Sequence, residues 1–358
     1  MASRYFPSSG GATLKRSTIT LALSLLLFLL FVSSASQAAE VGAKASKLVK
    51  LRVSQSTLNT RSAILWIAQD QGFFARHGLD VEIIFLQSSN LQTAALATGQ
   101  VQMGTIGGAT VLSGVAGGQP FRIVASPTNR LPYDLVARPE IKDAKDIRGK
   151  RLGVTSVGGT TWMAANLALQ SLSLDPARDN VQISAIGNQG ILIQAIEGGN
   201  VDLAIIDPFL SRRLKQKGYN IILELHRANI PFIATSVVTT APYLRDHPDQ
   251  VESFLRAFFE AQAFVSQPDN KTQVLKTVIA KMHITDRATA EEGYQDLVQS
   301  IEKKPYPSVE ALRNVQKLMA QMNPKVAALK PEEIVDPGMI RRLDESGFID
   351  GLYDSKKR

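Results

Sequence analysis

The sequence contains no cysteine. That excludes disulfides, a lipid-modified cysteine anchor and any thiol site. It has only four histidines, His77, His226, His247 and His283, and no two of them stand at metal-ligand spacing. No glycine pattern matches a dinucleotide or phosphate-binding fingerprint, and no Gly-x-Ser-x-Gly elbow occurs. Aromatic residues make up 6% of the chain, and only two are tryptophans, Trp66 and Trp162. These absences leave catalysis little support, so no catalytic residue, cofactor or metal is expected.

What is present begins with an export signal. Arg4, Lys15 and Arg16 precede an apolar run from Ile19 to Val32, and small residues lead from Ser33 to Ala38 and Ala39. A basic start, an apolar core of that length and a small-residue end describe a cleavable signal peptide, residues 1–38. The run is short for a membrane span of about 20 residues. Composition beyond it is globular, with 44% hydrophobic and 20% charged residues in the chain as a whole. The formal charge of +8 includes the three leader cations, leaving +5 for the remainder. With 32 acidic residues interspersed, and export expected, this modest field favours anionic ligands or acidic membrane partners over nucleic acid.

The chain repeats its plan. Asp80 to Ile84 reads as a strand, Gln87 to Asn90 as a polar break, Thr93 to Leu96 as a small-residue helix stopped by Gly99, and Val101 to Ile106 as a second strand. About a hundred residues on, Val181 to Ile183, Asn188 to Gly190, Ala195-Ile196, Gly198-Gly199 and Val201 to Ile206 follow the same order. Before the first copy stands the strand Leu48 to Val53, and before the second Arg151 to Thr155, with Val154 expected where Val53 stands. Two copies of one strand–helix–strand unit predict an α/β protein of two similar lobes with a cleft between them. Lobe one spans residues 47–137, lobe two 138–235, and residues 236–358 return to lobe one and add C-terminal helices. Phe232 to Thr240 reads as the return crossover.

Several of these segments form an ordered set: Gly72-Phe73-Phe74, Gly78 to Glu82, the alanine–leucine–glycine run to Val101, Asp146 to Val154, and Gly199 to Asp202. In that order they resemble the solute-binding proteins of nitrate/sulfonate/taurine-type ABC transporters, a group similar also to pyrimidine-precursor binding proteins, over about residues 48–265. The resemblance implies the type 2 periplasmic binding protein fold, with two α/β lobes joined by two crossover strands. It implies a monomer that closes around a small-molecule solute in the periplasm and delivers it to an ABC permease. Gln102 departs from the pattern, where the family more often has an acid, and is expected to alter a strand edge rather than the site. Two alternatives stay open: a periplasmic receptor serving a sensor kinase or chemoreceptor, and an enzyme on the same fold.

In open α/β sheets small molecules bind beyond the carboxyl ends of the strands, where loops pass into helices. Exposed N–H groups there suit anions or polar oxygens. Applied to both repeats, the rule selects Gln55, Ser56, Gln87, Ser88, Ser89, Gly107 and Gly108 from lobe one. From lobe two it selects Gly159, Thr160, Thr161, Asn188, Gln189 and Asp207. Singly, such residues are ordinary helix caps; their convergence from two lobes makes the site. Asp207 would repel an anion unless it caps its own helix or meets an amine. The ligand therefore stays open among sulfonate, nitrate, carboxylate, amino acid, other zwitterion and pyrimidine or other heterocycle.

Overall fold

The computed structural model describes residues 48–354, apart from 57–59, 87, 229, 321 and 322. The expected signal peptide and Gln87 lie outside the described residues.

The β-branched runs are strands. β1 (Val49–Gln55) leads through α1 (Ala63–Asp70) and the single turn α2 (Phe73–Arg76) to β2 (Leu79–Phe85). α3 (Ser89–Ala97) joins β2 to β3 (Met103–Ile106), and α4 (Gly108–Ala116) follows. β1 runs parallel to both β2 and β3. After β4 (Phe121–Arg130) the chain crosses into β5 (Asp134–Ala137), β6 (Arg151–Val154), α5 (Thr160–Ser171), β7 (Gln182–Ala185), α6 (Gln189–Glu197) and β8 (Leu203–Ile206). α7 (Pro208–Gln216) and β9 (Asn220–Glu224) complete this part, and β10 (Pro231–Thr240) crosses back.

Two five-stranded sheets result, ordered β2-β1-β3-β10-β4 and β7-β6-β8-β5-β9. Each has a parallel trio and one inserted antiparallel strand, β10 in the first and β5 in the second. Both inserted strands arrive directly from the other sheet, so the crossovers are the short stretches 131–133 and 225–230. The sequence reading gave Tyr133 to Ala137 to lobe one. Hydrogen bonding puts Asp134–Ala137 in the second sheet, between β8 and β9.

The repeat holds in three dimensions, with one correction. Val53 pairs with Ile83 and Met103, and Leu152 pairs with Ile183 and Leu203. Leu152, not Val154, therefore occupies the place of Val53. A shift of two residues keeps the same face inward, which is why the pattern alone did not expose it. Gln102 also finds its role here. Its Oε1 accepts from Arg52 N at 2.9 Å and its Nε2 donates to the Gly99 carbonyl at 3.0 Å. In the second lobe Asp202 accepts from Arg151 N at 2.9 Å, and the Arg151 guanidinium reaches the Gly199 carbonyl at 2.8 Å. One amide thus performs what an Arg–Asp pair performs in the other copy.

The remaining helices return to the first sheet. They are α8 (Ala241–Asp246), α9 (Pro248–Ser266), α10 (Lys271–Met282), α11 (Arg287–Ser300) and α12 (Val309–Ala320), followed by the single turns Pro324–Ala327 and Pro331–Ile334 and the short helices Gly338–Glu345 and Phe348–Tyr353. Phe254, Leu255 and Phe258 of α9 are buried in the core that holds Leu51, Val53, Trp66 and Val81. Each such side chain contributes about 1.5–3 kcal/mol by leaving water. Phe73 and Phe74 pack against α9 as well, Phe74 stacking on Phe254 at 5.5 Å between ring centres. α11 differs from its neighbours by touching both lobes. A Cβ on Gly293 would come within 2.7 Å of Thr60 and 3.2 Å of Phe209, so only glycine admits this approach. Arg212 of α7 reaches Glu292 at 3.0 Å and also binds Asp296, both on α11.

Candidate functional site

Carboxyl ends of β1 and β3, strands β4 and β10, Tyr133 of the first crossover, and helices α1, α9 and α11 surround a cavity of about 80 Å³, several times the roughly 10–15 Å³ that one water requires on the same measure. Its lining is mixed: the apolar side chains of Ile64, Leu65, Ile106, Phe258, Leu297 and Ile301 stand beside polar groups that include Ser56, Arg61, Thr128, Tyr133, Thr160, Gln262 and Ser300. A concave site that combines apolar surface with placed polar groups suits a small molecule.

The lobes meet at the cavity's mouth. Gly107, at the start of α4, lies so close to Thr160, at the start of α5, that a Cβ on it would stand 2.6 Å from the threonine Oγ1. Beside this contact, Arg61 of lobe one donates from Nη2 to Oδ2 of Asp207 of lobe two at 2.7 Å. The side chains are 12% and 5% exposed. Asp207 is also the N-cap of α7, accepting from Phe209 N at 3.2 Å. Gln189 holds it in place: its Oε1 accepts from Asp207 N at 3.1 Å and its Nε2 donates to the Ile205 carbonyl at 3.3 Å.

Burial by itself would lower the Arg61 pKa, but the Asp207 carboxylate and Tyr133 outweigh it and raise it further. Its guanidinium carbon also stands 5.8 Å from the centre of the Tyr133 ring. Burial pushes the Tyr133 hydroxyl up, against the pull of Arg61. Deeper in lobe two, burial raises the Asp134 carboxyl to about 7, with Glu224 and Asp207 adding to the effect, although Ser211 donates to it.

Of the residues selected from the sequence, Ser56, Gly107 and Thr160 line the cavity, and Asp207 meets its lining residue Arg61. Gln55 is 2% exposed at the end of β1, its Oε1 unpartnered among the described residues. Gly108 lets α4 approach β10, for a Cβ there would lie 2.9 Å from that of Ile233. Gly159 precedes α5 against the Ser156 hydroxyl. Thr161 turns into its own lobe, where its Oγ1 accepts from Thr155 N at 2.9 Å and pairs with Thr155 Oγ1 at 2.7 Å. Ser88 and Asn188 cap α3 and α6, accepting from Leu91 N and Ile191 N. Ser89 opens α3.

Sequence reasoning missed Arg61, Tyr133, Gln262 and the α11 residues. Arg61 carried a signal: a cation just before a helix start opposes the dipole, so it stands there for another purpose. Gln262 carried one too, a polar residue four positions after Phe258 on the apolar stripe of α9.

Fold and cleft together define the class, a two-lobed solute-binding protein of the periplasmic-binding-protein type. The model of the NMT1/THI5-like family matches residues 59–271, and the chain belongs to that family. The nitrate/nitrite binding protein NrtA of Nostoc is 25% identical over 309 residues, covering 74% of this chain and 67% of NrtA. The 4-amino-5-hydroxymethyl-2-methylpyrimidine phosphate synthase of Schizosaccharomyces pombe is 25% identical over 212 residues, covering 55% of this chain and 60% of the synthase. Among solved structures, the periplasmic aliphatic sulphonate binding protein SsuA of Escherichia coli matches with a TM-score of 0.66 at 16% identity, covering 82% of this chain and 99% of SsuA. At that identity the fold is what is shared.

Proposed function

We propose that the protein captures a small solute in the cleft between its lobes, in the periplasm, and delivers it as a monomer to an ABC permease. The observation that carries this reading is the cavity at the strand ends, with Arg61 and Asp207 meeting beside it. Such a layout suits hinge closure: two short crossovers at 131–133 and 225–230 join bodies that each have their own sheet.

The test is a thermal-shift screen of the protein recovered from the periplasmic fraction of an exporting host. The panel contains taurine, ethanesulfonate, nitrate, nicotinamide, uracil and cytosine. A solute present at about 100 times its Kd adds about 2.7 kcal/mol of stability. A solute that raises the melting temperature and is recovered unchanged supports the reading. A panel without effect, or a solute converted to product, contradicts it.

A further inference from the structure

Helix α7 of lobe two is gripped by lobe one at its start, where Asp207 takes Arg61. Little more than one turn later, Arg212 reaches away from its own lobe to α11. Its Nε donates to Glu292 Oε2 at 3.0 Å and its Nη1 to Asp296 Oδ1 at 3.0 Å, and Nη2 also donates to Asp296. All three guanidinium nitrogens are thus taken by two carboxylates, a geometry that a planar, forked cation makes specific. Glu292 and Asp296 stand four apart on one face of α11, where like charges repel. A cation from the other lobe, set between them, offsets that repulsion.

α11 itself is fixed to lobe one. Tyr294 and Leu297 are buried in the core that holds Trp66. The Tyr294 hydroxyl donates to the Val265 carbonyl at 3.3 Å, and Lys271 pairs with Glu291 at 3.2 Å. At its C-terminal end the helix reaches the cavity through Leu297 and Ser300. The loop that follows holds the link between the lobes, a ribbon of β4 and β10 whose pairing ends at Arg130 and Pro231 and is irregular between Pro231 and Val238. There the Pro305 carbonyl accepts from Ser126 N at 2.8 Å, and the Tyr306 carbonyl accepts from Asn129 Nδ2 at 3.2 Å. One segment, 287–306, therefore touches lobe two, the cavity and the link.

We propose that α11 is a strap across the lobe junction and Arg212 its latch. The ion pairs with Glu292 and Asp296 favour the closed arrangement whether or not a solute is present, and so set how much closure the solute has to drive. This rests on the solute-binding reading above and deepens it by naming what regulates closure. The strength of the pairs suits a reversible latch. The Arg212 side chain is 31% exposed, so salt screens the pairs. Two pairs of this kind bias an equilibrium by about 2–30-fold together, enough to shift closure without locking it.

Small-angle scattering of the solute-free protein, recovered from the periplasmic fraction, tests the proposal. It is recorded at about 0.1 M and about 1 M salt, between which the screening length falls from about 10 Å to about 3 Å. At the lower salt, Arg212→Gln should raise the open-to-closed ratio about 2–30-fold, seen as a larger radius of gyration. Arg212→Glu, which sets three carboxylates together, should open the protein further. Adding Glu292→Arg and Asp296→Arg to Arg212→Glu should return the radius to that of wild type. High salt should enlarge wild type and leave Arg212→Gln unchanged. A radius of gyration that stays the same in Arg212→Gln and Arg212→Glu overturns the proposal. So does a urea midpoint that falls with no change in radius, which makes the pairs part of a static scaffold. No solute enters this experiment, so the solute-binding reading stands or falls separately, by its own screen.

Discussion

Replacing Asp207 by asparagine keeps the shape of the side chain and an acceptor for the α7 cap, but leaves Arg61 without its counter-charge. The pair is close, 2.7 Å, and the side chains are 12% and 5% exposed, so solvent screens it little. Removing one partner of a buried pair costs about 3–5 kcal/mol. That cost has an outlet, because Arg61 and Asp207 belong to different lobes: opening the cleft returns the unmatched charge to water. The loss should therefore fall on closure, and so on affinity, rather than on folding. Expressed wholly in binding, it corresponds to a Kd weakened by about a hundred- to several-thousandfold. Arg61→Met should behave similarly, and the double variant should lose less than the two singles together, with a coupling energy of about 1–3 kcal/mol. The assay is a double-mutant cycle by calorimetry, using the solute that most stabilises wild type, with urea denaturation of the same four proteins. Additive singles, with coupling below about 0.5 kcal/mol, would refute the pairing across the cleft. Unchanged affinity with a large fall in urea midpoint would place the pair in the static scaffold instead.

Two further outcomes concern lobe two. Thr161→Ala removes an acceptor for Thr155 N and the partner of its hydroxyl at a buried position, and should cost about 1–3 kcal/mol of stability; a urea midpoint equal to wild type would contradict that. Asp134 has its carboxyl raised to about 7, first by burial and then by Glu224 and Asp207. Its folded pKa lies above the unfolded value, so its contribution to stability is full below about pH 4 and is lost as the pH rises through about 7. His226, lowered by burial, acts in the opposite sense and loses stability as the pH falls through about 6.5. Asp134→Asn should keep an acceptor for Ser211 and be more stable than wild type at pH 8, by about 2–4 kcal/mol, with the advantage vanishing near pH 4. Urea midpoints from pH 4 to 8 check this, and parallel profiles for the two proteins would refute it.

Much of the fold was legible because the chain states it twice. The glycines after α3 and α6 and the apolar runs from Val101 into β3 and from Val201 into β8 mark equivalent places, and the sheets reproduce that equivalence. What a local pattern cannot carry is which sheet a strand completes. Asp134–Ala137 reads as a buried strand wherever it goes, and only the pairing with β8 and β9 assigns it to the second sheet. The site was legible in outline for a similar reason. The rule of strand ends led to Ser56, Gly107, Thr160 and Asp207, but the helices that close the cavity come from 200 residues later. Gln262 on α9 and Ser300 on α11 come to line one cavity with Arg61 only through long-range packing. Arg212 of α7 likewise finds its partners Glu292 and Asp296 on a helix that no local signal ties to α7.

Closure of the two lobes on a solute can be measured directly, because the absence of native cysteine makes paired labelling clean. Asn90 of α3 and Ile191 of α6 are exposed and occupy matching helices of lobes one and two. With Asn90→Cys and Ile191→Cys carrying a donor and an acceptor dye, transfer efficiency should change as the solute that most stabilises the protein is added, with its midpoint at the calorimetric Kd. The Asp207→Asn background should shift the midpoint to higher concentration. A transfer efficiency that stays constant through saturation would contradict closure as the means of capture.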